Sequence, residues 1–174
     1  MKRCMLSACL LLVFATAGKA QRDTTDAVYA GDAMPAFTLV SDDGTETPSA
    51  TWKGKVILIS FFATWCPPCQ VELAEVEKTL WPKYRQEADF VLLVIGREHS
   101  EAELAGYNAG KGFTFPLYPD KSRRIYASFA TQLIPRSYLI DKTGKILFVA
   151  KGYSPTDFRR MQRMIDNALA APAI

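Results

Sequence analysis

The sequence predicts an α/β domain. Three observations carry this: the apolar run Val56 to Phe62, a helical pattern that starts at Cys69, and a second apolar run from Phe90 to Ile95. Short β-rich runs without polar alternation are the pattern of strands buried on both faces. A helix between two such strands implies a right-handed parallel crossover.

In chain order, Met1-Lys2-Arg3 supplies a positive start, Leu6 to Phe14 is apolar, and Gly18-Lys19-Ala20 places small residues before a cut. This is the pattern of a secretory signal peptide, with cleavage expected after Ala20; an uncleaved anchor is the alternative. Residues 21–32 are polar and unpatterned and are expected to form a flexible tether. A domain is expected over 33–174. Phe37 to Val40 reads as a short strand, ended by Ser41-Asp42-Asp43-Gly44, and Trp52-Lys53-Gly54-Lys55 marks a turn before the first buried strand.

Val71, Ala74, Val76, Leu80 and Tyr84 recur near helical spacing between acids and lysines, so a helix is expected from Cys69 to about Arg85, kinked or ended by Pro82. Ser100 and Glu103 have the spacing of a capping box, which predicts a helix to about Ala109, broken by Gly110 and Gly112. Asp120 can cap a further helix across Ser122 to Ala130. Ser137 to Asp141 reads as a strand, Asp141-Lys142-Thr143-Gly144 as a hairpin turn, and Ile146 to Ala150 as its partner strand. Ser154-Pro155 caps a last helix whose stripe is Met161, Met164, Ile165, Ala168 and Leu169.

Charge excludes little until the leader is considered. The chain has 21 Lys+Arg against 18 Asp+Glu, but residues 1–20 hold Lys2, Arg3 and Lys19 and no acid. Removing them leaves 18 bases and 18 acids, so the basic balance belongs to the leader and no nucleic-acid partner is expected. The single histidine, His99, excludes multi-histidine metal sites and argues against a histidine-based hydrolase triad.

Cys4 and Cys9 fall in the leader, so the remaining thiols are Cys66 and Cys69, in Trp65-Cys66-Pro67-Pro68-Cys69. Where a strand feeds into this motif and a helix follows, Cys66 stands at the helix N-terminus. Free amides and the positive dipole end favour its thiolate there. Cys69, one turn in, suits the resolving role: Cys66 attacks a partner disulfide, and Cys69 releases the product and closes Cys66–Cys69. Two bland readings stand beside this one. A static disulfide would bridge only a short loop. A zinc site would need two further ligands, and only His99 and carboxylates are on hand.

Phe61-Phe62-Ala63-Thr64-Trp65-Cys66-Pro67-Pro68-Cys69, Phe115-Pro116-Leu117-Tyr118-Pro119-Asp120 and Ile134-Pro135-Arg136-Ser137-Tyr138-Leu139-Ile140-Asp141 together resemble the thioredoxin superfamily, specifically exported thiol–disulfide oxidoreductases of the TlpA/ResA type. Met34 to Leu39 resembles the family's opening strand, and the likeness runs in order from about residue 33 to 155. It implies a thioredoxin fold: a mixed central β-sheet flanked by helices on both faces, with a helix-containing insertion, 100–130, before the cis-proline strand.

By this resemblance Cys66 is the nucleophile, Cys69 the resolving thiol and Pro135 the cis-proline facing them. Trp65, Pro67, Pro68 and the backbone of Ile134 would meet the client chain, the last by strand addition. Glu98 is the nearest match to a buried acid that relays the Cys69 proton; as a bland alternative it is a solvated loop acid. Arg136 departs from the small polar residue usual at its position, and either narrows partner choice or faces solvent. The implied function is thiol–disulfide exchange in the bacterial periplasm, with a reductase direction. No cofactor is expected beyond the Cys66–Cys69 pair, and no metal. The implied partners are client proteins and an electron-donor protein, membrane-embedded donors included. Two rivals are a thiol peroxidase, for which Thr64 stands at the wrong offset from Cys66, and a non-enzymatic metal- or copper-binding module using the same thiols.

Overall fold

A computed structural model describes residues 24–41 and 43–172; the expected signal peptide and the first residues of the expected tether lie outside them. Strands β1 (Thr38–Val40) and β2 (Glu46–Pro48) form a small antiparallel sheet. The central sheet has β3 (Val56–Phe62), β4 (Phe90–Arg97), β5 (Leu117–Asp120), β6 (Arg136–Ile140) and β7 (Ile146–Lys151) in the order β5-β4-β3-β6-β7. The pairs β3–β4 and β4–β5 are parallel, and β3–β6 and β6–β7 antiparallel, so the sheet is mixed, as expected.

Every residue of β3 is buried, which is why its sequence shows no alternation. Val56, Leu58 and Phe62 point to one face and Ile57, Ile59 and Phe61 to the other. The first face is covered by α1 (Pro67–Glu75), α2 (Trp81–Tyr84), α3 (Glu101–Lys111) and α5 (Pro155–Ala170), through Leu73, Tyr84, Leu104, Phe158 and Ile165, with Leu80 from the turn between α1 and α2. The second is covered by α4 (Arg124–Phe129), through Ile125, Tyr126 and Phe129, and by Leu39 of β1. Each fully buried Leu, Ile or Phe contributes about 1.5–3 kcal/mol, so this two-sided core holds the central strands rigid beneath the site.

The helix expected from Cys69 to Arg85 starts at Pro67 and runs to Tyr84, with a π turn over Val76–Leu80 joining α1 to α2. Pro82 explains the wide turn. It lacks an amide and its ring crowds the carbonyl one turn back, and an extra residue in the turn relieves both without ending the helix. Ser100 and Glu103 form the capping box, and Gly112 ends α3 at φ 68°. Gly110 stays inside that helix rather than breaking it. Asp120 does cap α4, accepting from the amides of Ile125 (3.1 Å) and Tyr126 (2.8 Å). The strand β5 contains Pro119, which only an edge position tolerates.

The tether expectation fails for its described part. Ala27 N donates to Phe129 O (3.0 Å), Gly31 N to Ile146 O (2.8 Å), and Asp26 pairs with Arg136. Polar composition concealed a docked segment, because its polar groups meet partners on the domain instead of water.

Candidate active site

β3 ends at Phe62 and the chain turns through 63–66, with Cys66 N donating to Ala63 O at 3.1 Å. Cys66 is the N-cap of α1 in an extended conformation. Pro67 and Pro68 follow it and have no amides to offer. The first free amide of the helix is therefore that of Cys69, which donates to Cys66 Sγ at 3.3 Å. The proline pair thus leaves one helix-end donor, and that donor is aimed at the sulfur. Cys66 and Cys69 form a disulfide with Cα atoms 5.3 Å apart.

Cys69 is fully buried and Cys66 is buried too, at 3 % exposed, so access does not separate the two expected roles, and the leading sulfur, which the exchange reading needs accessible, is covered in this disulfide form. The facing chain is the reason: Ile134 O lies 3.8 Å from Cys66 Sγ. The Ile134–Pro135 bond is cis, and Pro135 is buried while Ile134 is half-buried. Leu133, with φ 71°, is 53 % exposed, and its carbonyl accepts from Tyr126 Oη at 2.7 Å. Across the site Trp65 is 63 % exposed, and Pro67 and Pro68 are exposed beside it. The Arg97 guanidinium lies 5.7 Å from the Trp65 ring and 5.2 Å from the Tyr126 ring, bridging the two lips.

Glu98 is not the buried acid. It is exposed, at φ 66°, with Oε2 3.1 Å from Arg97 Nη2. The turn that leaves β4 points its side chain outward. Arg136 neither meets a client nor faces solvent: it is fully buried, paired with Asp26, and donates to Thr25 O (3.1 Å) and Thr25 Oγ1 (3.0 Å). The docked N-terminal segment covers it.

The buried acid near the resolving cysteine is Glu72, 4 % exposed and three residues beyond Cys69 on α1. Its Oε1 accepts from Ser60 Oγ (2.8 Å) and Ser137 Oγ (2.7 Å), two serines that face each other in the β3–β6 register. Burial pushes the Glu72 carboxyl above the ordinary glutamate range, against the opposing pull of both hydroxyls. A cavity of about 10 Å³ lies against Glu72 and Ser137, room for about one water. In the sequence Glu72 is one of the acids and lysines that lie between the apolar positions of this helix. Two signals could have found it: it falls on the helix stripe of Cys69, Leu73 and Val76, and Ser60 interrupts an otherwise apolar strand.

The Redoxin family model matches residues 29–169 of this chain. The thiol–disulfide oxidoreductase ResA of Bacillus thuringiensis subsp. konkukian is 31 % identical over 124 residues, 70 % of this chain and 69 % of that protein. The thioredoxin-like protein YneN of Bacillus subtilis is 31 % identical over 120 residues, 68 % of this chain and 69 % of that protein. Among solved structures, a candidate protein disulfide isomerase from Bacteroides thetaiotaomicron superposes with TM-score 0.80 at 30 % identity, covering 86 % of this chain and 96 % of that one.

Proposed function

The chain belongs to the Redoxin family and is a thiol–disulfide oxidoreductase of the thioredoxin fold, and from that premise we propose that it reduces disulfides of client proteins in the bacterial periplasm. The carrying observation is the Cys66–Cys69 pair at the start of α1, with the first free helix amide on Cys66 Sγ and the chain of Ile134 across from it.

In the reduced protein the Cys66 thiolate, stabilised by that amide and the helix dipole, attacks one sulfur of a client disulfide. The client's own S–S bond breaks, its leaving sulfur takes up a proton, and a Cys66–client disulfide forms. Cys69 then loses its proton and attacks Cys66 Sγ. The client leaves as a dithiol and the Cys66–Cys69 disulfide closes, so two electrons pass from protein to client. Glu72, one helical turn from Cys69, takes the Cys69 proton: a carboxyl made more basic by burial is matched to a thiol donor. Trp65, Leu133 and the two prolines supply the apolar rim a client chain would meet, and the Ile134 backbone would pair with it. An electron-donor protein reverses the cycle. No further cofactor enters this scheme. The leader pattern of residues 1–20 supports export, and among the described residues no helix is long and apolar enough to cross a membrane.

Trapping tests the roles. Cys69→Ala should retain clients as mixed disulfides stable to non-reducing electrophoresis, and Cys66→Ala should retain none. Equal trapping by both variants would overturn the assignment. A redox titration giving a potential near those of strong oxidants, at about −120 mV, would reverse the direction.

A further inference from the structure

Thr64 lies between the last residue of β3 and the N-cap Cys66, in backbone that no strand ladder can hold. Side chains satisfy it instead. Its amide donates to His99 Nε2 at 3.1 Å, and its hydroxyl stands 3.4 Å from the same nitrogen. Its carbonyl accepts from Gln70 Nε2 at 3.1 Å, and Gln70 Oε1 accepts from Lys111 Nζ at 3.0 Å. A half-buried peptide unit at a turn needs such partners, and the acceptor for this amide comes from the chain's single histidine, itself 7 % exposed.

Because the Thr64 amide donates, Nε2 must offer its lone pair, so the neutral ring carries its proton on Nδ1. That nitrogen is buried with no hydrogen-bond partner. Glu103 Oε2 stands 4.0 Å from it, held by Ser100 N (2.7 Å) and Ser100 Oγ (2.8 Å) in the α3 capping box. The other charged groups nearby are Arg97 and Glu98, which pair with each other at 3.1 Å, and Lys121, which acts on Glu103. Tyr107 of α3 shares the Phe62 ring with His99, at 5.9 and 6.5 Å.

We propose that His99 is a positioning residue for the exchange reaction: its Nε2 lone pair holds the Thr64 amide and so sets the backbone that presents Cys66. The inference rests on Cys66 being the attacking sulfur. Without that acceptor the turn two residues ahead of Cys66 loosens, and exchange slows.

The test uses full-length protein purified without a histidine tag and labelled with ¹⁵N-histidine, where one residue gives all the signal. Near neutral pH the spectrum should show an unprotonated Nε2 and a protonated Nδ1; the opposite tautomer overturns the proposal. His99→Leu should reduce a client disulfide about tenfold more slowly at neutral pH, the effect of removing the acceptor of one half-buried amide. His99→Gln, which can offer an oxygen to Thr64, should recover to within about threefold of wild type. A folded His99→Leu protein with the wild-type rate, or a His99→Gln protein no faster than His99→Leu, overturns the proposal. If His99→Leu does not fold, the tautomer decides, together with a His99→Gln rate that must stay within about threefold of wild type. A wild-type protein that exchanges no client disulfide refutes the proposed function instead, and the tautomer result stands apart from it.

Discussion

Glu72 is a carboxyl in a place that disfavours its charge. Its folded-state pKa is raised by burial, so between the ordinary glutamate value of 4.5 and the raised value the folded protein holds a proton that the unfolded chain has released. Stability is full below that window and is lost as pH rises through it. Glu72→Gln removes the ionisation while keeping an oxygen for Ser60 and Ser137. We expect the melting temperature near neutral pH to rise by about 3 °C and the pH dependence of stability to flatten above 4.5. Resolution of the mixed disulfide by Cys69 should slow about a hundredfold, because its proton acceptor is gone. Calorimetry across pH and single-turnover kinetics check the two effects, and a variant both less stable and unslowed would refute this role. At this scale the two cysteines were legible, since their spacing and the strand before them define the chemistry. Glu72 was not, because an acid between Val71 and Leu73 looks like any solvent-facing helix residue until Ser60 and Ser137 are seen to meet it.

Elements show where local signals sufficed and where packing intervened. The Ser100–Glu103 box and the Ser154 cap were readable because each satisfies helix-end amides within a few residues. The segment at 24–32 was misread because its partners lie about a hundred residues away, on Phe129, Arg136 and Ile146. Asp26 is the hinge of that docking. Its side chain is 5 % exposed and pairs with Arg136, whose side chain is fully buried, and with Lys151. Asp26→Ala leaves the Arg136 charge buried without its carboxylate, and urea unfolding should show a loss of about 3–5 kcal/mol. Replacing both residues, Asp26→Ala with Arg136→Met, should recover part of that loss, and a double variant worse than the single one would refute the pairing. Gly96 tests the approach of α3 to the sheet. A Cβ there would lie 2.6 Å from Leu104 Cδ2, so Gly96→Ala should cost about 1–3 kcal/mol in the same assay.

For the molecule as a whole, the mixed sheet is the frame that makes a site out of distant parts. β3 delivers Cys66, β4 ends at Arg97 beside His99, and β6 begins just after the cis bond at Ile134–Pro135, and all three are neighbours in the sheet. If export is as proposed, protein recovered from the periplasmic fraction should begin at Gln21, by N-terminal sequencing; an intact Met1 in the membrane fraction would show an anchor instead. The sequence by itself determined the α/β class, the buried strands, the caps and the identity of the redox pair. Each of these depends on the pattern of residues within one short stretch. Only the tertiary structure decided which acid is buried, that Arg136 closes on Asp26, that Cys66 is covered in the disulfide form, and that His99 holds Thr64. Those depend on which side chains the sheet brings together across 12 to 110 residues of chain, a pairing that local periodicity does not encode.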